Sequence, residues 1–164
     1  MYPLRMPYRK VRSRLKNLVK DGYASEALVT SVFTAERLLR RTLVQLVVSA
    51  GFTSNDAFRI VQKMNGLMAV KKAWSLYDPK RRALVQVIGN HTWQQLQEAA
   101  KIRNDMVHGM RTHSQGTCKR RARELIDAID TMKEQLKAAY EFDGWGMHRK
   151  RPVSALHADP KVPI

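Results

Sequence analysis

The chain has little cysteine, little acid and no long apolar run. A single cysteine, Cys118, stands among 164 residues, so no internal disulfide is available and a reducing, cytoplasmic setting is expected. No Cys or His spacing of the zinc-site type occurs; His91, His113, His148 and His157 are scattered and read as surface residues. Neither a metal nor a cofactor is therefore called for. The apolar run nearest to membrane length, "LVQLVVSAGF" after Arg40 and Arg41, falls well short of the roughly 20 residues that span a bilayer, so a membrane is not an expected partner. Strand-type alternation and hairpin turns are also missing, as are internal repeats, which excludes sheet and solenoid architectures.

Acid is scarce in a telling way: 14 Asp and Glu face 30 Lys and Arg, a formal charge of +16. An excess of that size repels itself unless a polyanion or an acidic partner offsets it, and nucleic acid is the obvious candidate. Residues 1–20, "MYPLRMPYRKVRSRLKNLVK", hold seven basic residues and no acid and are expected to form a basic N-terminal arm. Residues 144–164, rich in Gly, Pro and charge, are expected to be a flexible basic tail. A helical domain over 21–143 should lie between them.

Within that domain the apolar residues recur at helical spacing, which predicts an all-α fold: a compact bundle of three long helices with short helices between them. The first long helix, capped by Ser25 and ending at Gly51, places Leu28, Val32, Ala35, Leu39, Leu43 and Leu46 on one face. Two short helices follow, "SNDAFRIVQKMNG" opened by Ser54 or Asn55 and "LMAVKKAWSLY", then a third begun by Asp78 as cap and Pro79 at the first helical position. Thr92 is the expected cap of the second long helix, with a stripe of Trp93, Leu96, Ala100, Val107 and Met110. After the break at "THSQGT", the last long helix carries Ala122, Leu125, Ile129, Met132, Leu136 and Ala139. Its opposite face holds Glu124, Asp127, Asp130 and Glu134, a candidate surface for the basic side of a second copy.

One stretch breaks the apolar pattern. In "KIRNDMVHGM" a cation, Arg103, falls on the stripe between Ala100 and Val107. His108 follows five residues later, about 140° round the axis, and Asn104 lies one turn before His108 on the same face. These residue types suit RNA cleavage by the ribose 2′-hydroxyl. His moves a proton near neutral pH, and Arg offers a planar fork to phosphate oxygens. Arg103, His108 and Asn104 are the candidate catalytic residues, as phosphate clamp, general base or acid, and orienting group. The plainer reading makes Arg103 the ion-pair partner of Glu36 on the first long helix, and His108 a solvated residue where Gly109 ends its helix.

The run Arg103-Asn104-Asp105-Met106-Val107-His108, set in a helical domain of this size with one more amphipathic helix after it, resembles the HEPN superfamily. Its ribonuclease members carry Arg, four to six residues, then His. The resemblance, spanning roughly residues 20 to 140, implies a metal-independent endoribonuclease whose two copies face one cleft at a homodimer interface, in toxin–antitoxin or antiviral-defence settings. It also implies an antitoxin or other regulatory protein as a partner. One subgroup, silenced by adenylylation, has Tyr two residues after the His; here that position is Met110.

Rival readings are a non-catalytic helical module that grips nucleic acid, and an adaptor or antitoxin-like bundle. A helix-turn-helix over "SNDAFRIVQKMNGLMAVKKAW" lacks a clean turn signature. Tyr23, Trp74, Tyr77 and Trp93 read as core in preference to base-stacking platforms. The basic clusters "KKAW", "KRRAL" and "KRRARE" are solvated faces or the lining of an RNA channel. Cys118, with no evident activating partner beyond nearby cations, reads as structural.

Overall fold

The structure is a computed structural model and describes residues 6–156. Residues 1–5 of the expected arm and 157–164 of the expected tail, His157 included, lie outside the described residues. Among the described residues there are seven helices and no strand: α1 (Tyr8–Lys20), α2 (Ala24–Ser49), α3 (Ser54–Gln62), α4 (Gly66–Tyr77), α5 (Leu84–Ile88), α6 (Asn90–Val107) and α7 (Gln115–Tyr140). The all-α bundle is as expected, with α2, α6 and α7 the long members.

The bundle is organised round α2, which packs against α1, α3, α4, α6 and α7. All six residues of its expected apolar face are buried, together with Leu38, Val47 and Val48 on its flanks. A helix covered on so many sides must also bury hydroxyls. Ser31 and Thr42 satisfy theirs by donating to carbonyls one turn back, Ala27 at 2.7 Å and Leu38 at 3.0 Å. On α7, Ala122, Leu125, Ile129, Met132 and Leu136 are buried as expected, and Ala139 is half-buried.

Most of the expected arm is not an arm. Val11, Leu15 and Val19, each four residues apart, are buried on α2 and α7, while Arg14 and Lys16 between them are exposed. Asp130 ties the helix down by accepting from Tyr8 Oη at 2.7 Å and Arg12 Nε at 2.6 Å. The acidic face of α7 is thus partly consumed within the chain, since Glu124 also pairs with Arg121.

The described part of the expected tail is a strap returning along α2. Arg41 donates to the carbonyl oxygens of Gly144 and Gly146, Arg149 N donates to Gln45 Oε1 at 2.8 Å, and Arg151 Nε donates to the Val48 carbonyl at 3.1 Å. Only the last of these bonds reaches a terminal carbonyl of α2, that of Val48, which also accepts from Gly51 N at 3.1 Å. Gly144 makes the return possible: with φ +77°, a Cβ there would stand 2.7 Å from Leu38 Cγ and 2.9 Å from the Leu38 carbonyl oxygen.

Helix starts differ from the reading by a residue or more. α2 begins at Ala24, before Ser25; α6 begins at Asn90 behind Gly89, leaving Thr92 buried; and Thr53 caps α3 by accepting from Asp56 N at 3.1 Å. Asp78 does not open a helix at Pro79. Its buried carboxylate closes α4 and folds the following turn, accepting from Lys80 N, Arg82 N, the Arg82 guanidinium and Tyr140 Oη. Burial opposes ionisation of this group, yet the bonds from Arg82 and Tyr140 prevail and hold its pKa down at about 2. Trp74 and Trp93 are core, Tyr77 is half-buried, and Tyr23 is exposed.

Candidate functional site

The site is carried by the last two turns of α6 and the turn that follows. Ile102 and Met106, four apart, pack on the core, and Met106 Sδ touches the buried Cys118 Sγ at 3.8 Å. Burial pushes the Cys118 thiol up, as an inert structural cysteine requires. Because the buried side of this segment runs through Ile102 and Met106, the expected stripe is rotated. Trp93, Leu96 and Ala100 are buried, but Val107 and Met110 are 63% and 78% exposed. One residue after Met106 is a turn of about 100°, enough to carry Val107 into solvent.

α6 ends in a Schellman motif. Gly109, at φ +64°, donates to the Met106 carbonyl, and Met110 N donates to the Asp105 carbonyl at 2.9 Å. Gly109 therefore terminates the helix as read from sequence, and His108 is its C-cap, exposed to solvent. Beyond the turn, His113 Nε2 lies 3.2 Å from Asp105 Oδ2 and is half-buried, not the surface residue expected. This pair ties the turn back to the helix. Local periodicity carries no trace of it, because it depends on a chain reversal.

Arg103 is half-buried and faces α2. Its Nη2 donates to Glu36 Oε1 at 2.7 Å, with 21% and 19% of the two side chains exposed, so the anticipated ion pair is present. Its Nε is buried and has no hydrogen-bond partner among the described residues. Arg103 and Asn104 share the wall of an open cleft of about 770 Å³ with Glu36, Lys101 and the start of α4 at Gly66 and Met68. Glu36 also borders a second cleft, about 600 Å³, on the α3 side of α2, with Phe33, Arg40, Phe58 and His148. The half-buried His148 again departs from the surface reading. Burial and then the Arg41 charge keep its pKa down.

Of the three candidates, the fold brings Arg103 and Asn104 to one cleft. His108 is not part of that cleft's lining; it stands at the end of the same helix, uncovered, beside the exposed Val107 and Met110. Among the described residues no cluster of three His, Cys, Asp or Glu side chains is placed to hold a metal ion, and no helix is long and apolar enough to cross a membrane. No family model, curated protein or solved structure matches the chain.

Proposed function

We propose that the chain is an endoribonuclease of the HEPN type, cutting RNA without a metal ion as a homodimer in a toxin or antiviral-defence role. The observation that carries this reading is the disposition of one six-residue stretch. Arg103 and Asn104 line a cleft open enough for a nucleotide chain, and His108 stands free at the end of the same helix. A second copy docking over Val107 and Met110 would cover apolar surface and bring two such stretches to one strand.

In the proposed reaction His108 takes the proton of a ribose 2′-hydroxyl, and O2′ attacks the adjacent phosphorus. The P–O5′ bond breaks, and the leaving oxygen takes a proton from an imidazolium, that of the same or the partner copy. The products are a 2′,3′-cyclic phosphate and a 5′-hydroxyl. Arg103, held by Glu36, offers its remaining N–H groups to the phosphate oxygens as charge builds on them, and Asn104 orients strand or imidazole. An antitoxin or other regulatory protein of acidic surface would suit the +16 charge as a silencing partner.

The test is cleavage of RNA in a chelator, with the ends analysed. His108→Ala should fold like the parent and cut at least about 100-fold more slowly. Cutting at the parental rate would remove His108 from the mechanism. A second reading, a non-catalytic RNA-binding or adaptor module, draws support from the Glu36 pair, which accounts for Arg103 without any chemistry. It requires that RNA bind and emerge intact.

A further inference from the structure

The fold joins two basic runs that are a hundred residues apart. Lys16 and Lys20 of α1 and Lys119 and Arg123 of α7 line one groove of about 510 Å³ between these helices. Each pair is spaced i, i+4, so each helix presents a short row of like charge to the groove, an arrangement that mildly destabilises a helix. Among the described residues none of the four cations has an ion-pair partner, and Asp127 is the single acid in the lining. On these same helices the fold does pair cations elsewhere: Arg12 with Asp130 at 2.6 Å, and Arg121 with Glu98 at 2.6 Å and Glu124 at 2.9 Å. Arg9, Lys10, Arg14 and Arg120 on these helices are likewise without an ion pair among the described residues, so what sets the groove apart is that it gathers four unpaired cations from two helices into one channel.

We propose that this groove is a docking track for the sugar-phosphate backbone of RNA, distinct from the Arg103 cleft. Its apolar members, Val19 and Ile126, are buried in the floor, so the surface offers a visiting protein no exposed apolar anchor of the kind that dominates protein interfaces. What it offers is repeated positive charge along a channel, which matches a chain of phosphates. The groove reaches the N-terminal part of α7, at the end of the α6–α7 hairpin where His108 stands, so a strand laid in it leads toward that turn. The inference rests on RNA being the ligand of the proposed function and is independent of whether the RNA is cut.

The experiment uses the full chain and a fluorescent 2′-O-methyl oligouridylate of about 16 nucleotides, which lacks the attacking hydroxyl and reports binding alone. Affinity is measured against salt for the parent, for Lys16→Gln with Lys119→Gln, for Lys20→Gln with Arg123→Gln, and for a control pair outside the groove, Lys72→Gln with Lys80→Gln. Each groove pair should lower the slope of log affinity against log salt by about 1.4 and weaken binding about 25-fold at 0.1 M salt, while the control stays near the parent. All four groove positions lie on the surface, and circular dichroism confirms that each variant is folded. An unchanged slope in both groove pairs, an equal loss in the control, or displacement of the probe by polyglutamate at lower concentration than by polyuridylate would overturn the proposal. A parent that binds with the expected slope but leaves unmodified RNA intact keeps the groove and removes the nuclease.

Discussion

The Glu36–Arg103 pair is where structure and the proposed chemistry compete for one side chain, and a mutant cycle separates the two roles. At 2.7 Å with about a fifth of each side chain exposed, the pair sits between surface and core. An effective dielectric of about 20 gives a gross attraction of roughly 4 kcal/mol at 4 Å, much of it offset by desolvation. Removing either partner leaves a half-buried charge alone. Glu36→Leu and Arg103→Met should each cost about 2 kcal/mol, less than the 3–5 of a fully buried pair. The double variant replaces the pair with apolar bulk and should cost only about 1 kcal/mol, a coupling of about 3 kcal/mol between neighbours.

Urea unfolding followed by far-UV circular dichroism reads these values, and each single variant should also lower Tm by about 4–8 °C in a chain of this length. A coupling under about 0.3 kcal/mol would refute the energetic reasoning, since the side chains would then be independent. The functional half of the prediction uses the same proteins. If Arg103 clamps phosphate, the double variant regains stability without regaining RNA cleavage. Cleavage by that variant at the parental rate would leave Arg103 a purely structural residue.

Two further outcomes follow from the packing. The Asp78 carboxyl titrates at about 2 in the folded chain and near 3.9 unfolded, so its contribution of roughly 2–3 kcal/mol is complete above about pH 5 and lost as pH falls toward 2. Asp78→Asn should therefore narrow its stability gap to the parent between pH 5 and about pH 2 in urea titrations, and a gap constant over that range would refute the assignment. Gly144→Ala combines a positive φ with a Cβ 2.7 Å from Leu38 Cγ and should cost about 2–4 kcal/mol in the same assay; a cost below about 0.5 kcal/mol would mean that the strap does not bear on α2.

How much of this was legible in sequence depended on whether order came from local periodicity. The apolar faces of α2 and α7 follow 3.6-residue spacing and are buried almost residue for residue. α1 obeys the same rule at Val11, Leu15 and Val19, but seven cations in the surrounding 20 residues suggested a solvated arm. The strap over 144–156 has no periodicity to read. Its order comes from Arg41, Gln45 and the Val48 carbonyl, a hundred residues away. At the site, Arg103 announced itself as a cation on an apolar stripe, and Glu36 was the acid on the facing helix. The exposure of Val107 and Met110 was hidden, because it follows from which side of the last turn meets the core, and α7 decides that through Cys118.

The candidate residues differ in how firmly the fold holds them, and this bears on the chemistry. Along α2, Glu36 fastens Arg103 of α6, Arg40 donates to the Val61 and Met64 carbonyls at the end of α3, and Arg41 fastens the strap. Three polar side chains in six residues thus anchor three elements to the central helix, and Arg103 takes its position from the most buried helix of the fold. His108 takes its position from the Schellman turn alone, with open solvent around it. A proton-transfer group must be held to within about half an ångström of its working place. On the proposed reading that constraint is missing from the isolated chain, and a second copy seated on Val107 and Met110 is the element that would supply it. Cleavage should accordingly depend on dimer concentration even where RNA binding does not. On the same reading Arg103 needs no such help, so a monomer would bind a phosphate but be poorly placed to cut beside it.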